Sequence, residues 1–549
     1  MRAGATLDAV EFMERIMAAD EPIEVDYCIV GGGSAGCVVA ARLSEDARNA
    51  VLMLEAGPRD WHPFIHIPAT CLNLQQDARF NWLDQTEPQA HADGRSLKIS
   101  QGRVLGGSGS INGMLHVRVQ RSDADGWKTQ GWRYDELLPF LSNAEDFEGE
   151  SAYSRGRGGP QPVSEFRIVH PLTQSFIDAA KGLGIPHNPD MNGGEREGVA
   201  LFQQNRRGRF RAQPAQTYLR DARGRANLRV LTHAPVARIL FEGGRASGVV
   251  FLRDGQERRV SVRREVIVSA GTLRSPQILQ ASGVGDPAHL ATLGIAPAVA
   301  SPGVGRNLRD HYMVRVGHRV RGITTINERT RGLPIVKEVL KYAFAGSGML
   351  TMGAGAAAVF LRTRPDAPTP DAQLSFAPGS FASAGVLEKE PGMTIGGWPS
   401  PAASRGTVLA RSADTRLAPS IDPNYLSAES DRDAIIACVR TIRALFAQPA
   451  LARWSKAETF PGAQIERDDE ILGFARERGT SGLHFTGTCR MGDDEASVVD
   501  ARLRLRGISG LRVIDASVMP NTPIGNAHSS VVMVAEKGAA MIREDAAGH

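Results

Sequence analysis

The stretch DYCIVGGGSAGCVVAARLSEDARNAVLMLEAG, residues 26–57, decides the fold. It opens with a short apolar run at 27–30, long enough for a strand buried on both faces. Residues 35–43 carry the small and apolar side chains of a helix packed closely on a sheet, and 51–54 form a second apolar strand. Taken in that order they make a right-handed βαβ crossover. Between strand and helix, Gly31, Gly33 and Gly36 spell GxGxxG. Gly31 permits the tight turn, Gly33 lets the backbone approach a pyrophosphate, and Gly36 lets helix and strand pack. The helix N-terminus then offers unpaired N–H groups and a positive dipole end to the phosphates. Glu55 closes the second strand about 20 residues beyond the glycines, where an acid accepts hydrogen bonds from an adenosine ribose and disfavours a 2′-phosphate. The motif alone leaves NAD and FAD both open.

Around this unit the chain is long enough, at 549 residues, for two or three domains. Its net charge of +4, from 64 basic and 60 acidic residues, is too small for a nucleic-acid-binding surface. The basic stretch at 206–211 reads as a solvated loop with one structural Arg. Cys28, Cys37, Cys71, Cys438 and Cys489 show no metal-ligand spacing, and their scatter fits reduced thiols and a cytoplasmic location. The N-terminus lacks the apolar core of a secretory signal, and Val10, Met13, Ile16 and Met17 recur at helical spacing. Residues 342–361 carry no charge, but Gly346, Gly348, Gly353 and Gly355 interrupt them, so they read as buried core and no membrane contact is expected.

Strand-rich segments recur at 228–248, 259–269 and 511–514, as if one sheet were collected from distant parts of the chain. Residues 314–482 differ, mixing a helical run at 431–446 with a polar-alternating strand at 407–412, as a separate α+β cap would. No GxSxG elbow, HExxH or GxxxxGK[ST] loop is present, and no metal site is expected.

Five further motifs follow in order: FNWLDQTEPQ (80–89) with GRVLGGSGSINGML (102–115), SAGTLRSPQILQASGVG (269–285), PGVGRNLRDH (302–311), HFTGTCRMG (484–492), and LRVIDASVMPNTPIGNAHSSVVMVAEKGAAMI (511–542). On these the chain resembles the glucose–methanol–choline (GMC) oxidoreductase family from residue 26 to 542. The resemblance implies an α/β FAD-binding Rossmann-like domain, discontinuous in sequence (1–160, 200–313 and 483–549), with an α+β substrate-binding cap (161–199 and 314–482).

It also implies which residues meet FAD. Gly31, Gly33, Ser34, Ala35, Gly36, Glu55 and Ala56 would hold the nucleotide, and Val236 in LTHAPVARI would meet the adenine. Trp82, Arg103, Gly107, Asn112, Gly113, Met114 and Leu115 would surround the flavin, with Asp515, Ala516, Asn526 and Ser529 from the last motif. A glycine- and serine-rich loop gives a planar ligand close access to backbone N–H groups, and Asn112 suits the flavin edge. Where some relatives link a His covalently to the flavin this chain has Ile111, so non-covalent FAD is expected; His116 nearby reads as a packing residue.

Oxidising an alcohol through flavin requires removal of the hydroxyl proton and transfer of a hydride to flavin N5. Histidine suits the first task, with an unperturbed pKa of about 6.5. His484 matches the family's catalytic acid/base. His528, where many relatives have Asn, is expected to hydrogen-bond the substrate oxygen and tune His484; two adjacent protonated imidazoles would repel, so one should be neutral. The implied activity is oxidation of a primary, sugar, polyol or aromatic alcohol, with oxygen or a quinone or dye as acceptor. The alternative is a non-redox lyase acting on a cyanohydrin. Oligomeric state is left open by the sequence.

Overall fold

The computed structural model describes residues 23–548 except Ser151, Ala152 and Ala384. The expected N-terminal helix lies outside the described residues. The strand Ile23–Val30 is buried from Val25 onward because it is sandwiched on both edges. Tyr27–Val30 pair in parallel with Val51–Leu54 on one side and with 265–268 on the other. Leu228–Leu231 extends the parallel order beyond Val51–Leu54. The segment 228–248 therefore divides: its first strand joins the parallel sheet, and Val236–Glu242 forms an antiparallel hairpin with Arg245–Arg253. Gly243 and Gly244, both at positive φ, make the two-residue turn.

The long strand Gln256–Val268 unites these parts. Its first half pairs antiparallel with Arg245–Arg253, and its last residues pair in parallel with Leu511–Val513. A strand from the C-terminal region thus closes a seven-stranded sheet begun at residue 23. The helix Ser34–Leu43 packs on this sheet beneath the C-terminal helix His528–Ala547. Arg42 on the first helix donates to both oxygens of Glu536 on the second, each at 2.8 Å.

A second, antiparallel sheet runs in the order Ser455–Phe460, Tyr312–Val320, Gly392–Pro399, Ala372–Ala377, Ala357–Leu361, Gly198–Leu201. The helix Glu429–Ala447 covers one face with Ala434, Ile435, Cys438, Val439 and Ile442, a stripe at helical spacing. Gly397 admits it: a Cβ there would lie 2.8 Å from Leu374 Cδ2 and 3.1 Å from Cys438 Cβ. We propose the two sheets as the two domains. The boundaries expected at 199/200 and 313/314 fall within the strands Gly198–Leu201 and Tyr312–Val320, so they belong at those strands' ends.

Two expectations need correction. Residues 342–361 are only partly core: Ala357–Leu361 is a buried central strand, whereas Phe344 ends an exposed helix and is 87% exposed. That helix, Gly332–Ala345, buries Glu338 and Tyr342 and turns its apolar residues outward. The basic stretch 206–211 is a small hairpin, Arg206–Arg207 paired with Phe210–Arg211, because Gly208 supplies the turn. Its structural Arg is Arg211, fully buried and donating to the carbonyls of Ile65, Gly109 and Asn112. All five cysteines are buried and free. Among the described residues no helix is long and apolar enough to cross a membrane.

Candidate active site

Between the two sheets lies a cavity of about 450 Å³, lined from one end by the glycine loop and from the other by the antiparallel sheet. At the first end the backbone does the shaping. Gly31 has φ +104°, and a Cβ on it would sit 2.6 Å from the Ser269 carbonyl oxygen. A Cβ on Gly36 would lie 2.0 Å from the Gly31 carbonyl oxygen, so helix and turn touch as expected; Gly36 itself lies behind the cavity wall. Gly33, Ser34 and Ala35 line the cavity at the start of the helix, which has no side-chain cap over its N–H groups. Gly107 packs against Gly33, where its Cβ would come within 2.8 Å of Cα, bringing the two glycine loops together.

Glu55 lines the same end. It accepts from Gly32 N–H and Gly57 N–H, each at 2.8 Å, which leaves a lone pair on each oxygen for a ligand hydroxyl. Burial pushes its pKa up to about 7, against the pull of those N–H groups. Ala56 and Val236 also line the cavity.

Midway, Trp82 lines the cavity with the Arg274 guanidinium over its ring, and Arg274 is in turn paired with Asp84 at 2.7 Å. Arg103 does not reach the lining; it stands 5.5 Å from the Trp82 ring and donates to the Ala78 carbonyl. Gly113, Met114 and Leu115 line the cavity beside Asn112, whose side-chain oxygen accepts from Arg211 at 2.8 Å. Asp515 and Ala516 approach from the other side; Asp515 accepts from Gly271 N–H, Ser517 N–H and Ser275 Oγ. Ser529 faces away, into a small void shared with His116 and Glu145. His116 is a buried packing residue, bonded to Glu145 at 3.0 Å.

The far end is built from side chains. His484 follows Leu483, which takes a positive φ, and its N–H donates to Asp310 Oδ1 at 2.6 Å. Asp310 is held by Tyr425 and Ser481. His484 Nδ1 lies 2.9 Å from His311 Nδ1, and His484 Nε2 lies 2.9 Å from Asn526 Nδ2. His311 Nε2 is 3.1 Å from Ser400 Oγ, which accepts from Gly525 N–H and reaches the Pro523 carbonyl at 3.3 Å. One proton arrangement satisfies this chain with Asn526 Nδ2 facing His484 Nε2. Ser400 donates to Pro523, His311 Nε2–H to Ser400, His484 Nδ1–H to His311, and Asn526 to the lone pair on His484 Nε2. Burial lowers the pKa of His484 to about 4 and, with the neighbouring imidazole, pulls His311 well below its usual value. Both rings are neutral at physiological pH.

The structure brings Asn526, expected on the cofactor side, rather than His528 beside His484. His528 points toward the glycine loops, its Nδ1 3.4 Å from Ser34 Oγ, and shares no hydrogen bond or ring contact with His484 among the described residues. Burial, with the charges of His116 and Arg211, lowers its pKa to about 3. The reason is local: His528 is the first residue of the C-terminal helix, and Asn526 precedes it in the irregular backbone that crosses the cavity. Sequence reasoning does not single out His311; its signal there is its place at the end of the motif PGVGRNLRDH, directly after Asp310.

The donor set fits an FAD: an uncapped helix start, a carboxylate with spare lone pairs, and unpartnered buried polar atoms on cavity-lining residues, Ser269 Oγ, Asn526 Oδ1 and His528 Nε2 among them. Comparison with known proteins agrees. Two family models described as GMC oxidoreductase match residues 25–313 and 402–535. Mitochondrial choline dehydrogenase of Mus musculus is 38% identical over 544 residues, covering 96% of this chain and 91% of its own. An alcohol dehydrogenase [acceptor] of Pseudomonas putida is 37% identical, covering 94% and 95%. Pyridoxine 4-oxidase from Mesorbium loti superimposes with a TM-score of 0.86 at 30% identity, covering 96% and 100%.

Proposed function

Because the chain belongs to the GMC oxidoreductase family, in which FAD is the typical cofactor, we propose that it oxidises an alcohol to the carbonyl with non-covalently bound FAD. The observation that carries this reading is the His484–Asn526 pair, which opens into the same cavity as the glycine loop. His484, neutral because of desolvation and with Nε2 left unprotonated by the tautomer that the His311–Ser400 chain fixes, takes the hydroxyl proton at Nε2. The hydroxyl displaces the Asn526 amide from that nitrogen's lone pair, and Asn526 Nδ2–H then holds the substrate oxygen beside it. His311 is a positioning residue: it fixes the tautomer and ring plane of His484. His311 is buried, while His484 and Asn526 are half-buried in the cavity wall, where a bound substrate would displace water from the proton transfer. When bound, FAD supplies the two-electron acceptor that receives the hydride at N5. Ile111, buried and without a nucleophilic atom, supports a non-covalent cofactor. His528, Ser34 and the N-terminus of the last helix belong to the cofactor side.

Anaerobic mixing of the holoprotein with a panel of primary, aromatic and polyol alcohols tests the proposal. Bleaching of the flavin absorption band is the expected result. A spectrum that stays oxidised with every alcohol, together with cleavage of a cyanohydrin, would replace it with the lyase reading. Running the panel with oxygen and with a quinone analogue side by side identifies the acceptor.

A further inference from the structure

The cavity contains a cation that neither the proton transfer nor the dinucleotide accounts for. Arg315 lies on the strand Tyr312–Val320, and its side chain lines the cavity along with Met313, two residues earlier on the same face of the sheet. Among the described residues it makes one long hydrogen bond, from its guanidinium to Thr480 Oγ1 at 3.3 Å, and no ion pair. Burial, with no compensating carboxylate, lowers its pKa to about 10, so it remains charged at neutral pH. A guanidinium half-buried in a cavity wall without an ion-pair partner is costly, and a ligand that supplies the counter-charge offsets that cost.

The other charged cavity residues are already engaged. Arg274 is paired with Asp84. The two lining carboxylates, Glu55 and Asp515, belong to the parallel sheet and accept backbone N–H groups there. Among the described residues no carboxylate lines the end where the antiparallel sheet meets His484. Space is also provided opposite the guanidinium stem: Arg315 pairs across the ladder with Gly396, whose absent Cβ would lie 3.3 Å from Met313 Sδ and 3.8 Å from Arg315 Cγ. Thr480, the residue that steadies Arg315, is followed closely in sequence by His484, so one short segment sets both groups. The phosphates of a dinucleotide would lie at the glycine loop, on the other sheet.

We propose that Arg315 is a specificity-determining residue that pairs with an anionic group of the substrate, so that the preferred substrate is an alcohol also carrying a carboxylate. This rests on the alcohol-oxidising reading above. The guanidinium matches a carboxylate with two parallel N–H···O bonds. A cationic alcohol such as choline meets a like charge at this end of the cavity, away from the two lining carboxylates at the other sheet.

The test uses holoprotein, as wild type, Arg315→Gln and Arg315→Lys, in two measurements. In the first, benzoate and benzamide are titrated while the flavin absorbance is followed. Benzoate is expected to bind wild type, with affinity about ten- to a hundredfold weaker in Arg315→Gln and partly restored in Arg315→Lys, while benzamide is unaffected. In the second, 4-(hydroxymethyl)benzoate, benzyl alcohol and choline are compared as substrates; the carboxylated alcohol should have the highest kcat/KM and choline should not be turned over. Benzoate binding that is indifferent to residue 315, or oxidation of choline as well as of the carboxylate, overturns the proposal. Arg315-dependent benzoate binding without oxidation of any alcohol leaves the anion site standing and removes the alcohol reading instead. Retention of the flavin spectrum by both variants shows that they remain folded.

Discussion

The two ends of the cavity are made in different ways. The glycine-loop end is built from backbone, within about 80 residues of the first strand: Gly31, Gly33 and Gly107 approach one another because they have no side chains, and Glu55 is oriented by N–H groups from its own neighbourhood. The histidine end is built from side chains on segments that are far apart, Asp310 and His311, Ser400, His484 and Asn526. A backbone-built site tolerates little substitution but needs no distant partner. A side-chain-built site depends on the correct mutual placement of two sheets.

The sharpest way to separate the two ends is by what each loses. At the backbone end, Gly31→Val should give protein without bound FAD, since a Cβ cannot fit 2.6 Å from the Ser269 carbonyl oxygen at that φ; flavin absorbance per protein is the measurement, and a normal flavin content would show that the loop yields. At the other end, His484→Ala should keep FAD and lose turnover by about 10³-fold, within the range for a general base. Loss of the flavin instead would make His484 part of the cofactor site. Asn526→Ala should lower kcat/KM by about 10²-fold, whereas His528→Asn should chiefly weaken FAD retention. Equal losses of turnover in those two variants would restore His528 to the catalytic pair.

A smaller effect tests the His311–Ser400 chain. His311→Asn should reduce kcat by about tenfold and change the pH profile, because the tautomer of His484 is no longer fixed; an unchanged profile would reduce His311 to packing. For wild type, kcat/KM should hold from neutral pH downward and fall only as pH drops through about 4, where His484 becomes protonated.

Stability gives the mildest reading. Histidines whose folded pKa is depressed contribute fully above their unfolded value of about 6.5, and the contribution is lost as pH falls toward their folded values, about 4 for His484 and about 3 for His528. Burial of His484 alone should cost roughly 2 kcal/mol by about pH 5. Thermal unfolding of the FAD-free protein across that range would check it; a flat Tm would mean that these rings are solvated there.

By itself, the sequence determined the βαβ unit, the glycine loop and Glu55, because strand, turn and helix signals lie side by side and the chemistry is that of the local backbone. It also determined that strands at 259–269 and 511–514 belong with the first, and that His484 stands in the site, because each lies in a motif with its own pattern. What only the tertiary structure decided is which side chains meet. Asn526 and His528 are two residues apart, yet the start of a helix between them sends one toward His484 and the other toward Ser34. His311 meets a ring more than 170 positions away, and Arg315 stands out because it makes no ion pair among the described residues. Those are properties of how two sheets face each other across a cavity, which no single stretch of chain contains.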